Sequence, residues 1–252
     1  MEEKMERRSF LKGLAITGLT AAGAGIIAGC SPKVSDQATT AGLPESWDKE
    51  ADVVVVGGGG TGIVAALEAA AAGSSVIVLE KAINPGGNTA LSSGVIQAAG
   101  TKFQKEFTKY QDDTPEKHFE YWKSAAEEIF DENLVKSMAD GAPDCIDWLV
   151  NQGIEYINVY GVAVIPTVDS QYMADRIHVP GGGENGTSGR GKYHVDTLLA
   201  NAKNAGVEFL TETPAKQLIV NGDEGVVGLI AENGGKSLTI KAKKGVIMAS
   251  GG

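Results

Sequence analysis

The sequence predicts an α/β fold in which helices pack on a parallel β-sheet and a three-stranded β-meander extends that sheet. Val53–Val56 form an unbroken β-branched run, as expected of a strand buried on both faces. The run leads through glycines into Ile63–Ala72, a strong helix former, and then into a second apolar run, Ser75–Leu79. Nearer the C-terminus, two glycine-containing hairpin turns separate three short strands.

The first 29 residues have the layout of an export signal. The run RRSFLK, from Arg7 to Lys12, is followed by an uncharged apolar stretch, Gly13–Gly29. The paired arginines resemble a twin-arginine (Tat) signal, and the residues around Cys30 resemble a bacterial lipoprotein box. We therefore expect residues 1–29 to be a signal peptide. The mature protein is expected at the cell surface, or on the periplasmic side of the cytoplasmic membrane, held by a lipid on Cys30. A single transmembrane anchor is the alternative, but the stretch is short for a span.

Composition argues against several other classes of function. The formal net charge is −10, which disfavours binding to nucleic acid and to acidic lipids, so membrane attachment is expected only through the lipid. Besides Cys30 the only cysteine is Cys145, expected to be a buried small hydrophobe and not a reactive thiol. The histidines, at positions 118, 178 and 194, show no metal-ligand spacing, and we expect no metal site.

A tether and then a folded domain are expected after the signal. Residues 30–49 are rich in Ser, Thr, Ala and Pro, as linkers are. The domain is expected to span residues 50–252, beginning near Glu50. Its first strand, glycine turn, helix and second strand form a Rossmann-like βαβ unit, and Glu80 follows the second strand.

The glycine turn predicts a dinucleotide site. Gly57, Gly59 and Gly62 have G-x-G-x-x-G spacing. The first would allow a tight turn, the second would let a diphosphate approach the main chain, and the third would let the helix pack closely on the strand. The helix start would offer free amides to the phosphates, and Glu80 would accept hydrogen bonds from ribose hydroxyls while disfavouring NADP. This pattern leaves nicotinamide and flavin open.

The loop after Glu80 favours the larger ligand. A simple nicotinamide-binding fold would return through another helix to a third parallel strand. Lys81–Gly100 instead reads as a long loop of small residues that can lie against a second part of a ligand.

A helical layer is expected over the sheet at residues 114–152. It is expected to comprise three pieces, with a break at Gly141 because Pro143 cannot continue a helix: Thr114–Phe130, Leu134–Asp140 and Pro143–Gln152.

The last third of the chain returns to strands. Ile177–Gly191 reads as a second glycine-rich loop before a helix, Tyr193–Asn204, and Gly206–Leu210 reads as a further parallel strand. The meander is expected at Ala215–Val220, Val226–Ala231 and Ser237–Ala242, followed by one more buried strand at Gly245–Ala249.

Three motifs together resemble a known family. They are GGGGTG, then VLEK, then PGGNTALSSGVIQAAGT. The sequence resembles the flavoprotein subunit family of fumarate reductases and succinate dehydrogenases. It is most similar to the soluble branch, which includes flavocytochrome c fumarate reductases, urocanate reductases and 3-ketosteroid dehydrogenases. The resemblance covers Glu50–Gly252 and implies a Rossmann-like FAD-binding domain.

The resemblance implies non-covalent FAD. Thr61 and Gly62 would contact the diphosphate and Glu80 the adenosine ribose. Asn88 stands where the membrane-bound branch has a histidine bonded covalently to the flavin. The alternative is that the polar loop residues only satisfy their own backbone. The other expected cofactor-binding residues are Gly57, Gly59, Gly60, Lys81, Gly87, Thr89, Ser92, Ser93, Gly94, Ala215, Ser250 and Gly251. In the family, a loop such as that holding His178 and Arg190 borders the flavin or substrate; the alternative for His178 is a histidine bonded to nearby carbonyls.

The resemblance also implies a reaction. Hydride would pass between flavin N5 and an activated C=C bond of a small or steroid-like enoate or enone, with electrons from a haem or FMN module. In the family, the substrate-capping domain and the catalytic residues follow the segment that resembles Ser250–Gly252. We therefore expect the domain to be incomplete at the C-terminus and the chain to be the N-terminal part of a longer flavoenzyme. A non-catalytic FAD-binding fragment and a nicotinamide-dependent dehydrogenase are the alternatives.

Overall fold

The computed structural model describes residues 43–126, 130–161, 164–182 and 190–251. The expected signal peptide, Cys30 and most of the expected tether lie outside these residues. So do residues 127–129 and residues 183–189, which belong to the expected helical layer and to the second glycine-rich loop.

The described chain contains six α-helices and nine strands. The helices are α1 (Gly60–Ala71), α2 (Gly87–Leu91), α3 (Lys102–Phe107), α4 (Pro115–Ala126), α5 (Glu132–Asn151) and α6 (Arg190–Asn204). The strands are β1 (Lys49–Val56), β2 (Val76–Leu79), β3 (Ile96–Gln97), β4 (Tyr156–Gly161), β5 (Asp175–Pro180), β6 (Glu208–Leu210), β7 (Ala215–Asn221), β8 (Gly225–Asn233) and β9 (Lys236–Met248). None of the helices in the described part of the chain combines the length and apolar character needed to cross a bilayer.

Two sheets organise the domain. The larger has six strands in the order β6-β2-β1-β9-β8-β7. Strands β6, β2, β1 and β9 run parallel, and β8 and β7 continue the sheet as antiparallel neighbours. The smaller sheet is antiparallel, in the order β3-β5-β4. The predicted α/β class, with a parallel sheet and a three-stranded meander, is confirmed.

The strand β1 is buried on both faces, as its β-branched run predicts. Val55 is fully buried with Ile63 of α1 and Ile146 of α5 on one face of the sheet. Val54, by contrast, belongs to a second cluster on the other face, with Ile240 of β9. Successive side chains of a strand point to opposite faces, so an all-apolar strand feeds both clusters.

The last two predicted strands are one strand. β9 runs from Lys236 to Met248, and it pairs with β8 over Lys236–Lys241 and with β1 over Ile240–Met248. The two lysines that separate the predicted strands do not form a turn: the strand continues through an irregularity, at which the register with β1 shifts between Ala51 and Val53. Their side chains bind acidic residues of β1, Lys243 to Glu50 at 2.9 Å and Lys244 to Asp52 at 3.5 Å. The expected burial is also wrong at the end of β9, where Met248 is 57% exposed.

The expected break in the helical layer is wrong. α5 is continuous, with Pro143 inside it. The buried residues of this helix lie on both sides of the proline: Ala139, Ala142, Ile146 and Leu149. An internal proline costs about 3 kcal/mol, and burial of this apolar stripe offsets that cost. Cys145 lies just outside the stripe and is exposed, so its expected burial is also wrong.

Both expected loops contain regular structure. Lys81–Gly100 includes α2 and β3, and Ile177–Gly191 includes most of β5 and the start of α6. His178 lies in β5 opposite Ile96 of β3. The sequence does not predict the pairing of these two strands, because each is only a few apolar residues long and lies in a glycine-rich segment.

Candidate functional site

A cleft of about 460 Å³ opens where β1, β2 and β9 end and α1 begins. Such a position, outside the carboxyl ends of parallel strands, is where open α/β sheets bind ligands. The predicted site residues that line it are Gly57, Gly59, Gly60, Thr61, Glu80, Lys81, Gly87, Asn88, Thr89, Ser250 and Gly251. Met248 and Ala249 complete the lining, and sequence reasoning missed both as site residues. The signal that could have found them is the pairing of β9 with β1, which carries the end of β9 to the cleft.

The glycines of the turn after β1 have three different environments. Gly57 has φ of 106°, and a Cβ there would collide with the carbonyl of Ala249. A Cβ on Gly62 would collide with the carbonyl of Gly57, so this glycine allows α1 to approach the strand. A Cβ on Gly59 would meet only the carbonyl oxygen of Gly86, at 3.9 Å. The protein's own packing therefore does not require glycine at position 59, and the open space faces the cleft.

The start of α1 is prepared for an anion. Gly59 occupies the N-cap position without a capping side chain, and the first turn carries no acidic residue. The first amides of any α-helix have no partner within the helix. The amide of Gly60 donates to Thr89 Oγ1 at 3.2 Å. The next two amides have no carbonyl available within the helix and point along its axis toward the cleft.

Glu80 joins the two parts of the βαβ unit. It is 7% exposed, and its Oε2 accepts a hydrogen bond from the amide of Gly58 at 2.9 Å. Its Oε1 accepts from the amide of Ala82 at 2.8 Å. Each carboxylate oxygen retains a lone pair that can accept from a ribose hydroxyl. The carboxylate therefore fixes the glycine turn as well as lining the cleft, a second function that the motif alone does not reveal.

The segment Pro85–Thr89 closes one side of the cleft. The amide of Gly86 donates to the carbonyl of Gly58 at 2.7 Å, and Gly59 forms an isolated parallel bridge with Gly86. Thr89 fills the space that a Cβ on Gly60 would need. Two glycine turns are thus held together by backbone and by one threonine.

Several predicted site residues lie elsewhere. Gly62 is buried in the contact between α1 and β1. Ser92 uses its hydroxyl within its own loop, donating to the carbonyl of Thr89 at 2.8 Å and accepting from the amide of Gly94 at 3.2 Å. A Cβ on Gly94 would meet the backbone at the start of α6, and the exposed Ser93 does not line the cleft. The structure does not bring these loop residues to the cleft. Ala215 lines a smaller adjoining cavity of about 150 Å³, together with Glu80, Lys81 and Ser250.

His178 lies in a buried polar network away from the cleft. Its side chain is fully buried, with Nδ1 2.8 Å from the carbonyl of Arg176 and Nε2 2.6 Å from Thr101 Oγ1. A carbonyl only accepts, so Nδ1 carries the proton and the threonine hydroxyl donates to Nε2. Burial lowers the pKa of His178. Of the two interpretations of this histidine, the structure favours one bonded to its neighbours. No group of three or more His, Cys, Asp or Glu in the described part of the chain is placed to hold a metal ion.

The geometry fits the diphosphate of a dinucleotide: an open Cα at Gly59, an uncapped helix start and a carboxylate one strand away. Comparisons with known proteins agree. The chain is 33% identical to digoxin reductase from Eggerthella lenta, over 99% of this chain and 46% of that protein.

Two solved structures are also similar. A 3-ketosteroid-Δ4-(5α)-dehydrogenase from Rhodococcus jostii matches with a TM-score of 0.73 and 30% identity, over 81% of this chain and 46% of that one. The open conformation of a flavocytochrome c3 fumarate reductase matches with a TM-score of 0.68 and 29% identity, over 82% of this chain and 34% of that one. The chain thus spans less than half the length of each of these relatives.

The sequence profile described as "FAD binding domain" matches residues 52–252, from β1 through the last residue of the chain. This range contains every residue that lines the cleft. The corner at Gly59 and the carboxylate of Glu80 would suit the adenosine diphosphate half of either NAD or FAD. The profile match is what favours FAD over nicotinamide. The chain belongs to the FAD binding domain family.

Proposed function

We propose that this chain forms the FAD-binding part of an oxidoreductase that acts on CH–CH bonds. The observation that carries the proposal is the open corner at Gly59, beside an uncapped helix start and Glu80. When bound, FAD would exchange a hydride at its N5 with a carbon of an activated double bond in an enoate or enone. The named relatives, a digoxin reductase, a ketosteroid dehydrogenase and a fumarate reductase, support this class of reaction.

Different residues of the cleft would bind different parts of the cofactor. The start of α1, at Thr61, would donate an amide hydrogen to the diphosphate, and Lys81 would add a positive charge at the same cleft. Gly62 does not line the cleft, and only its amide, in the first turn of the helix, would face the diphosphate. Glu80 would accept from the ribose hydroxyls. Ser250 and Gly251, after β9, would contact the cofactor through their main chain.

We also propose that FAD is held without a covalent bond. Asn88 lines the cleft beside Gly87 and Thr89. An asparagine amide is not a nucleophile toward the flavin, so this position offers hydrogen bonds only. Acid precipitation of the loaded protein is expected to release all of the flavin into the supernatant. Flavin that stays with the pellet would contradict this proposal.

The test of the cofactor and of the reaction uses the 252-residue chain. We expect a purified protein that takes up FAD and shows a flavin absorption band. A colourless protein that does not take up added FAD would overturn the proposal. Turnover is measured with reduced viologen dye and a panel of enoates and enones. Turnover would show that this chain is itself catalytic, whereas FAD binding without turnover is the result expected of a cofactor-binding part.

Export and partners extend the same proposal. The N-terminal sequence pattern supports export of a folded flavoprotein with a lipid on Cys30, and the flavocytochrome relative supports a haem-containing electron donor. The mass of the N-terminal peptide of the exported protein tests the first point. A mature N-terminus upstream of Cys30, or an unmodified Cys30, would contradict the lipid anchor.

A further inference from the structure

The backbone is irregular just after β6, where it lies beside Glu80. The amide of Glu80 donates to the carbonyl of Leu210 at 2.9 Å, and its carbonyl accepts from the amide of Thr213 at 2.9 Å. Thr211 and Glu212 therefore lie between two bonds to a single residue, as in a β-bulge. Glu212 has φ of 51°, a left-handed conformation that is uncommon for a residue with a side chain. We refer to Thr211–Thr213 as the bulge.

Two side chains hold the bulge in this conformation. Thr213 is fully buried, and its hydroxyl donates to the carbonyl of Thr211 at 2.7 Å. The same hydroxyl accepts from Asn233 Nδ2 at 2.6 Å. Asn233 is the last residue of β8, at the hairpin turn before β9. A turn of the meander thus supports a segment that bonds to Glu80, although the two are far apart in sequence.

The bulge shapes a cavity of about 150 Å³ next to the cleft. Thr213, Pro214 and Ala215 form one wall of this cavity, and Glu80 forms part of the other. The cavity and the cleft share Gly57, Glu80, Lys81 and Ser250 as lining residues. Movement of the bulge would therefore displace the main chain of Glu80, the residue that also binds the amide of Gly58.

We propose that Thr213 and Asn233 are positioning residues for the adenosine end of FAD. Their hydrogen bond fixes the bulge, and the bulge fixes both Glu80 and the small cavity. Asn233 lines neither the cleft nor the cavity, so it acts through Thr213. This inference rests on the proposed binding of FAD.

The test compares matched variants of the full chain. Thr213→Val keeps the shape of the side chain but removes the hydroxyl, Thr213→Ser keeps the hydroxyl, and Asn233→Ala removes the outer partner. Asn221→Ala is the control, because Asn221 is also an asparagine at a hairpin turn of the meander, where it bonds Glu224 at 2.6 Å. Binding of FAD and of ADP is measured by calorimetry. ADP carries only the adenosine diphosphate half of the cofactor.

We expect Thr213→Val to weaken the binding of FAD and of ADP by the same factor, roughly tenfold. The carbonyl of Thr211 loses its 2.7 Å bond to the hydroxyl and keeps only the longer one, 3.4 Å, to Asn233 Nδ2. Asn233→Ala should weaken both by about threefold, since water can reach this exposed side chain and replace part of the bond. Thr213→Ser and Asn221→Ala should bind both ligands as the wild type does.

Four results would overturn the inference. They are an unchanged affinity of Thr213→Val for ADP, a loss for FAD without a loss for ADP, an equal loss in Asn221→Ala and Asn233→Ala, and a wild-type chain that binds FAD but not ADP. If Thr213→Val does not fold, Asn233→Ala decides the matter alone. A wild-type chain that binds no FAD would instead overturn the proposed function.

Discussion

Gly59 and Gly62 differ in what an added methyl group would meet, and this difference separates binding from folding. The space beside Gly59 is open, and its φ of −77° suits any residue. The space beside Gly62 is filled by the backbone of Gly57.

Gly59→Ala is therefore expected to fold normally but to bind FAD at least tenfold more weakly, because the methyl group would stand where the diphosphate approaches. Tenfold corresponds to a loss of about 1.4 kcal/mol in the free energy of binding. Gly62→Ala is expected to lower the free energy of unfolding by roughly 1–3 kcal/mol or more, through overpacking. Thermal unfolding without ligand and FAD titration measure the two effects. Equal destabilisation by both substitutions would show that Gly59 is also a packing residue.

His118 makes the stability of the domain depend on pH. It is fully buried, and burial together with the charge of Arg176 lowers its pKa from 6.5 to about 4. Trp122 Nε1 donates to His118 Nε2 at 2.9 Å, which requires a lone pair on that nitrogen. The folded state therefore favours the neutral ring.

Because the folded pKa lies below the unfolded value, the unfolded state takes up the proton first as the pH falls. The contribution of His118 to the stability of the folded state is fully present above pH 6.5 and is lost as the pH falls toward 4. His118→Gln keeps an acceptor but does not titrate. Between pH 7.5 and pH 4.5 its free energy of unfolding should fall by about 2 kcal/mol less than that of the wild type. Urea unfolding at the two pH values measures this. Parallel losses in the two proteins would contradict the assignment.

The helix α5 shows an element in which tertiary packing overrides a local signal. Pro143 cannot donate to the carbonyl of Ala139, yet the helix continues for eight residues beyond it, to Asn151. Gly141 is also inside the helix, and nothing lies within 4 Å of a Cβ added there.

Pro143→Ala is expected to raise the free energy of unfolding by roughly 1–3 kcal/mol, since it restores a hydrogen bond and removes a steric conflict. Gly141→Ala should raise it by about 1 kcal/mol through helix propensity alone and serves as the comparison. Urea unfolding checks both. A destabilised Pro143→Ala protein would mean that packing of the ring outweighs the backbone cost.

The elements that the sequence predicts well are those with a complete local pattern. The valines of β1, the helix former of α1 and the acid after β2 lie within about thirty residues of one another, and the structure places them in one unit. The elements predicted poorly depend on distant partners. β9 is one strand because β1 pairs with it on both sides of Lys243 and Lys244. His178 lies in a strand because β3 pairs with β5. The second function of Glu80 needs the geometry of the Gly58 amide, which no motif contains.

At the scale of the whole molecule, β9 makes the meander and the parallel sheet one body. Its residues Lys236–Lys241 pair with β8, and Ile240–Met248 pair with β1, so the two ladders overlap in the middle of the strand. We expect the amides of Leu238–Ala242 and of Val246–Met248 to exchange with solvent hydrogen at the same free energy of opening, since neither half can separate without the other. Native-state hydrogen exchange measures this, with the edge strand β7 as a faster-exchanging reference. A lower opening free energy for Leu238–Ala242 would show that the meander opens independently.

The pairing of β1 with β9 also governs how this protein can be made. Val53 finds its partner Gly245 only about 190 residues later. At a synthesis rate of about 5–20 residues per second, one edge of β1 therefore has no hydrogen-bonded neighbour for on the order of 10 to 40 seconds during translation. We therefore expect the nascent chain to need chaperones during translation. Message truncations that remove Lys236–Met248 should yield aggregates and not a smaller soluble domain.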